Sequence, residues 1–132
     1  MFFLDTNVIV DAIRGNYPCV LQNFARLNPK EIAIPSVVVA ELEFGARHSD
    51  DYEKRRKQYL DFIAPYEVVA FSKNEVEPYG KLREQLTSSG LVIGSNDMLI
   101  AATALSCNAI LVTHNVREFS RISGLTVVDW RL

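Results

Sequence analysis

The chain has 132 residues, the length of a single domain spanning 1–132, and its 48% hydrophobic and 23% charged residues are an ordinary globular balance. Those figures exclude a disordered, collagen-like or coiled-coil chain, and the length excludes a second full-sized domain. Fourteen basic against sixteen acidic residues give a net charge of −2, so no whole-molecule positive field marks a nucleic-acid binder, although acids clustered around a metal would mask local basic patches.

Met1–Leu4 runs into Asp5 without the basic and long apolar regions of a secretory leader. Phe2–Leu4 reads as the first strand, followed by a helix over Asn7–Arg14. A second helix covers Cys19–Leu27, introduced by Pro18 and closed by Asn28-Pro29. Ile32–Ile34 is the next strand, and Ser36 caps a helix running to about His48. A helix over Asp51–Ile63, a strand over Glu67–Ala70 and a helix over Glu75–Thr87 follow. Ser95 caps a helix over Asn96–Ser106, Ala109–Val112 is a strand, Val116–Phe119 a short turn, and Thr126–Val128 the last strand. None of the strands alternates cleanly with polar residues, which suits strands covered on both faces. Strands alternating with helices, without repeats, predict an α/β domain with a mostly parallel sheet. The longest uncharged apolar stretch, Met98–Val112, has 15 residues and is too short to span a bilayer. Cys19 and Cys107 lack CxxC spacing and a nearby His, as befits small apolar residues in a reducing cytosol. A cytoplasmic protein with no membrane association is the expectation.

In such sheets ligands bind beyond the carboxyl ends of strands, where strand order reverses. That directs attention to Asp5-Thr6-Asn7 after the first strand and Thr113-His114-Asn115 after the fourth. Glu41 falls on a helix arc with Val37, Val38, Leu42, Phe44 and Gly45, whereas Glu43 lies opposite, four residues before Arg47, as an exposed ion pair would. A buried Arg such as Arg83 could neutralise Glu41 structurally. Asp97 is the only formally charged residue from Gln85 to Val116 and opens a helix that is apolar all round. It could serve the helix dipole there, and Asp5 could simply cap the helix that follows it. Gathered in one crevice, however, Asp5, Glu41 and Asp97 repel one another unless a proton or cation lies between them. A hard divalent ion, Mg²⁺ or Mn²⁺, meets that need with oxygen ligands alone, and Asn115 could add a neutral oxygen.

The ordered segments Leu4-Asp5-Thr6-Asn7, Ser36…Ala40-Glu41-Leu42…Gly45, Tyr79-Gly80…Leu82-Arg83, Ile93-Gly94-Ser95-Asn96-Asp97 and Leu111-Val112-Thr113-His114-Asn115…Glu118-Phe119 resemble the motifs of PIN-domain ribonucleases. With Val128-Asp129-Trp130 at the end, nearly the whole chain resembles the VapC toxins of bacterial VapBC toxin–antitoxin pairs. The resemblance implies a PIN-like α/β fold, a five-stranded mostly parallel sheet flanked by helices, and an acidic Mg²⁺/Mn²⁺ site. Asp5, Glu41 and Asp97 match the family's three most characteristic acids, and Asn115 stands at its fourth position, where many relatives also carry Asn. An amide there argues for one ion held by the protein and a second recruited by substrate phosphate. The implied reaction is hydrolysis of an RNA phosphodiester, with transfer RNA as substrate and the initiator anticodon loop as one target. Asp5 and Asp97 are the implied ligands, Glu41 a ligand or a base acting through water, and Thr6, Asn7, Ser95, Asn96 and Thr113 the residues that orient carboxylates or touch phosphate. The implied partner is a VapB-type antitoxin, with a homodimer that assembles further with the antitoxin and DNA bound only through it.

Lys54-Arg55-Arg56-Lys57, the one dense basic run, reads as a solvated face balanced by Asp50, Asp51 and Glu53, with Arg14, Arg83 and Arg117 the better-placed single charges. His114, Asp11 and Asp129 read as surface. Tyr17, Tyr52, Tyr59, Leu60 and Phe62 are apolar or aromatic residues on stretches that otherwise read as exposed, and so are candidates for antitoxin or dimer contacts. Three other readings compete. A haloacid-dehalogenase-type phosphatase needs an acid where Asn7 stands, and a receiver domain needs an Asp where Phe71-Ser72-Lys73 follow the third strand. The third is a degenerate PIN-type domain that binds metal or antitoxin without cleaving RNA.

Overall fold

A computed structural model describes residues 1–132. Five short strands, β1 (Phe2–Leu4), β2 (Ile32–Pro35), β3 (Glu67–Val69), β4 (Ile110–Val112) and β5 (Thr126–Val128), form one sheet in the order β3-β2-β1-β4-β5. Every neighbouring pair is parallel. Seven helices flank it: α1 (Thr6–Arg14), α2 (Pro18–Arg26), α3 (Ser36–Arg47), α4 (Tyr52–Ile63), α5 (Lys73–Ser88), α6 (Ser95–Ser106) and α7 (Val116–Phe119). No helix is long and apolar enough to cross a membrane.

The strands are apolar on both faces because helices cover them, and β1, β2 and β4 carry fully buried Leu4, Ala33, Ile34, Leu111 and Val112. The chain leaves β1 for β2 on one side and later returns to β4 on the other. Strand order therefore reverses at β1/β4, which creates the crevice a parallel sheet offers to ligands. The register Leu4↔Val112 continues one step further, as the Asp5 N–H donates to the Val112 carbonyl at 2.9 Å. Likewise the Thr113 N–H donates to Val128 at 2.9 Å. Backbone pairing thus delivers Asp5 and Thr113 side by side at the crevice.

Two of the expected caps belong elsewhere. Ser36 and Ser95 are the first residues inside α3 and α6 rather than the flanking residues, which are Pro35 and Gly94 and carry no side-chain acceptor. The Ser36 hydroxyl instead accepts the Phe71 N–H at 3.3 Å, tying α3 to the β3–α5 loop. Helix α5 starts two residues earlier than its apolar pattern suggests. The Ser72 backbone N–H donates to the Glu75 carboxylate at 3.1 Å in a capping box that draws Lys73 and Asn74 into the helix. Asp51 does cap α4 through the Lys54 N–H. Gly15 closes α1 at φ +68°, a left-handed position that releases the chain toward α2.

The residues expected to face partners also pack within this chain, Tyr59 fully and Tyr17, Tyr52, Leu60 and Phe62 as half-buried residues. Phe62 and Trp130 each meet Phe24 edge-on, with centroids 5.3 and 5.1 Å apart. Tyr17 lies under the Arg131 guanidinium at 4.3 Å, Tyr52 under Arg47 at 4.1 Å, and Leu60 packs on the core. Tyr59 is 6% exposed.

Candidate active site

Asp5, Glu41, Asp97 and Asn115 line one cleft at the β1/β4 switch point, together with Thr6, Asn7, Asp11, Arg14 and Arg131. Asp5 is held most firmly. One carboxylate oxygen accepts the Thr6 N–H at 2.8 Å, which makes Asp5 the N-cap of α1. The other accepts the Thr113 hydroxyl at 2.7 Å and the Asn7 amide at 3.3 Å. The capping role and a place in the crevice are therefore not alternatives: the carboxylate has lone pairs for both. Asp5 is 5% exposed, and burial raises its pKa despite those hydrogen bonds, with the nearby Glu41 charge adding to the rise.

Glu41 projects from the middle of α3, half-buried, and its Oε1 accepts the Thr6 hydroxyl at 2.6 Å. Arg83 is not its partner, since that guanidinium donates to the Tyr79 hydroxyl on α5. The arc around Glu41 is only partly a core face: Val38 and Leu42 are buried, whereas Phe44 is 69% exposed. Asp97 lies in the first turn of α6, a helix whose Met98 and Ile100–Ala104 are buried. Its pKa is pushed up to about 7, first by burial and then by the charges of Asp5, Glu118 and Glu41.

Glu118 is the site residue that the sequence reading left out. It projects from α7 and accepts the Asn115 amide N–H at 2.6 Å, while the Asn115 backbone N–H donates to Thr113 at 3.0 Å. The Asn115 amide nitrogen thus donates to Glu118, and Asn115 itself lines the cleft. The available signal was the three-residue spacing Asn115…Glu118, one helical turn, in a segment read only as a turn. Thr6, Asn7 and Thr113 all touch the carboxylates, as described. Ser95 and Asn96 do not: they are exposed at the start of α6, form no capping bond and lie outside the cleft lining.

Asp11 and Asp129 correct a second expectation. Asp11 is 4% exposed and receives the Arg131 Nε and Nη2 at 2.7 and 3.0 Å, a forked pair that pins the chain end to α1. Asp129 accepts the Arg131 N–H at 2.9 Å and lies 3.1 Å from His114 Nδ1, while the His114 N–H donates to Asn7 at 3.2 Å. Of the single basic residues, Arg14 lines the cleft and Arg83 and Arg117 do not. In the basic run, Lys57 pairs with Asp61 and Arg56 reaches Glu43, whereas Arg55 turns toward a groove beside the cleft.

No lysine, arginine or histidine forms an ion pair with Asp5, Glu41, Asp97 or Glu118. Nor do three of the acids converge into a ready-made metal shell. The donor set nevertheless fits a hard divalent cation: its groups are carboxylate and amide oxygens, and burial together with the neighbouring acids pushes the Asp97 pKa up to about 7. Mg²⁺ in particular keeps several waters and needs only one or two protein carboxylates.

The PIN domain family profile matches residues 2–125. Among curated relatives, Ribonuclease VapC2 of Rickettsia felis is 39% identical over 131 residues, 98% of each chain. The tRNA(fMet)-specific endonuclease VapC of Shigella flexneri is 33% identical over 129 residues, 98% of this chain and 97% of that one. Among solved structures, VapBC2 from Rickettsia felis bound to a promoter DNA fragment contains a chain that matches with a TM-score of 0.91 at 39% identity over 98% of each chain. With the parallel sheet, the crevice acids and full-length similarity in agreement, this chain belongs to the PIN-domain family, among the VapC ribonucleases.

Proposed function

We propose that residues 1–132 act as one domain and as the toxin of a type II toxin–antitoxin pair, a cytoplasmic endoribonuclease that hydrolyses RNA phosphodiester bonds with Mg²⁺ or Mn²⁺. The observation that carries this reading is the cleft itself: three carboxylates without a cationic partner, Asp5, Glu41 and Asp97, at the switch point of a parallel sheet, with the charge of Glu118 beside Asp97 and the Asp97 pKa pushed up to about 7. Asp5 and Asp97 would hold the ion, with Glu41 and Glu118 as further ligands or as bases acting through water and Asn115 adding a neutral oxygen. A bound divalent ion supplies charge neutralisation at the phosphate and a more acidic water. Thr6, Asn7 and Thr113 hold Glu41 and Asp5 in place through the hydrogen bonds already described. Hydrolysis adds water oxygen to phosphorus and breaks the bond to the leaving ribose oxygen, which gains a proton.

The name of the Shigella relative supports transfer RNA as the substrate class, including an initiator species. The VapBC complexes among the structural relatives, one of them bound to promoter DNA, support a VapB-type antitoxin as partner; the toxin homodimer and DNA binding through the antitoxin are part of the proposal. The test is to incubate antitoxin-free protein with total cellular RNA and Mg²⁺ or Mn²⁺, beside Asp5→Asn and EDTA controls, and to map new ends. Discrete cuts that disappear in both controls are expected. Absence of cleavage by folded protein, or cleavage that survives Asp5→Asn, would replace this reading with a PIN-type binding domain.

A further inference from the structure

Beside the carboxylate cleft lies a second cavity of about 330 Å³, between α1, α3 and α4. The two form one continuous depression, since Thr6, Val10, Arg14 and Glu41 line both. The floor of the second cavity is apolar, built from Val10 and Ile13 of α1 and from Leu42 and Ala46 of α3. Tyr59 of α4 also lines it, and because its hydroxyl is already donated to Glu43, its ring supplies apolar surface rather than a hydrogen bond. At Gly45 the wall of α3 is bare: a Cβ built there meets nothing within 4 Å.

The polar groups lie around this floor and are few. Arg55 Nη1 donates to Gln58 Oε1 at 3.2 Å, which fixes the amide and leaves its Nε2 as a free donor. The Ser49 hydroxyl donates to the Ala46 carbonyl at 2.6 Å and keeps its lone pairs as acceptors. Neither Arg14 nor Arg55 is paired with an acid. An apolar slot with an amide donor, a hydroxyl acceptor and two guanidiniums unpaired with acids, bounded toward the cleft by Thr6 and Glu41, suits a flat heterocycle carried on a polyanion better than an aliphatic side chain.

Resting on the ribonuclease reading above, we propose that this cavity receives one unstacked nucleobase, from the nucleotide next to the scissile phosphodiester. Arg14 and Arg55 contact the RNA backbone on either side of it, and Gln58 and Ser49 read the edge of the base. Single-stranded RNA is commonly recognised in this way, through bases turned out of their stack onto apolar surface and hydrogen-bonded along their edges. Thr6 and Glu41 line both spaces, so the cavity adjoins the carboxylates over which the scissile phosphate would lie.

The test crosses an enzyme change with a substrate change. Gly45→Leu puts a side chain into the open wall, and a synthetic stem–loop spanning the mapped cut is made intact or with an abasic nucleotide on the 5′ or 3′ side. Wild type should cleave one abasic RNA with a kcat/KM about tenfold or more below the intact RNA. Gly45→Leu should lose a similar factor on intact RNA and no longer distinguish the two. Gln58→Ala, a change at the half-buried rim that spares the floor, should flatten the preference among the four bases at that position, and it keeps the test open should Gly45→Leu misfold. Equal cleavage of intact and abasic RNA by wild type, or undiminished discrimination by both variants, would overturn the assignment. So would undiminished discrimination by Gly45→Leu together with lost antitoxin binding, which would give the cavity to a protein side chain. If wild type cuts none of the RNAs, the ribonuclease reading itself fails, and this inference fails with it.

Discussion

Glu41 and Glu43 are two residues apart on α3 and live in opposite chemistry. Glu43 accepts from Arg47 Nε at 2.9 Å, the Tyr52 hydroxyl at 2.8 Å and the Tyr59 hydroxyl, and these bonds hold its pKa down to about 2. The expected ion pair with Arg47 forms, and the two tyrosine hydroxyls from α4 make Glu43 the joint between α3 and α4 as well. Glu41, one side of the helix away, receives a single hydroxyl from Thr6 and faces Asp5 and Asp97. The Asp11–Arg131 fork repeats the Glu43 pattern at the chain end. An acid that holds this fold together is satisfied by donors from the chain itself. In the cleft, Asp5 and Glu41 are oriented by hydroxyls and amides, and neither they nor Asp97 meets a cationic side chain; that difference separates a structural carboxylate from one suited to a cation.

The strongest way to break this comparison is Asp97→Asn. RNA cleavage should fall by about a hundredfold or more, since the cleft loses a carboxylate that positions charge at the reacting phosphate. Metal-free stability at pH 7.5 should hold or rise, because a repelling charge has been removed. A fall in the metal-free Tm would mean that Asp97 is structural after all. Tyr59→Phe probes the other side. It removes one donor from Glu43 at a site 6% exposed and should cost about 1–2 kcal/mol of unfolding free energy, read from the denaturant midpoint. An unchanged midpoint would reduce Glu43 to the surface pair first expected.

The effects in pH carry opposite signs. Asp97 has its folded pKa raised from 3.8 to about 7, so the native state binds the extra proton in that interval. Its contribution to stability is present below about pH 3.8 and is lost as pH rises toward 7. Glu43 is lowered from 4.5 to about 2, so its contribution is present above about pH 4.5 and lost as pH falls toward 2. Metal-free protein should therefore show a Tm that declines between pH 5 and 7.5, and Asp97→Asn should flatten that decline. Added Mg²⁺ or Mn²⁺ should recover the loss at the upper end, because a ligand that binds only the folded state stabilises it. A Tm that rises across the interval in metal-free wild type would contradict the description of the cleft.

Much of this protein is determined by its residues in order. Five apolar runs separated by helical patterns allow little other than a parallel sheet, because strands without polar alternation must be covered on both faces. Asp5, Glu41 and Asp97 stand out because each interrupts an apolar pattern, and carboxylates do not enter such surroundings without a compensating group. Tertiary structure alone decided the rest. Which acids find partners depends on contacts across long sequence separations: Asp11 with Arg131, Asp5 with Thr113, Glu43 with Tyr59. Local periodicity reports which face of a helix is apolar and says nothing of what another element brings to that face. For the same reason Glu118 looked like a turn residue until α7 placed it beside Asp97, and the basic run on α4 looked uniform until Arg55 alone turned into the groove. Chemistry that disturbs its own neighbourhood is legible in the sequence, whereas chemistry assembled from ordinary residues that are distant along the chain appears only when the chain is folded.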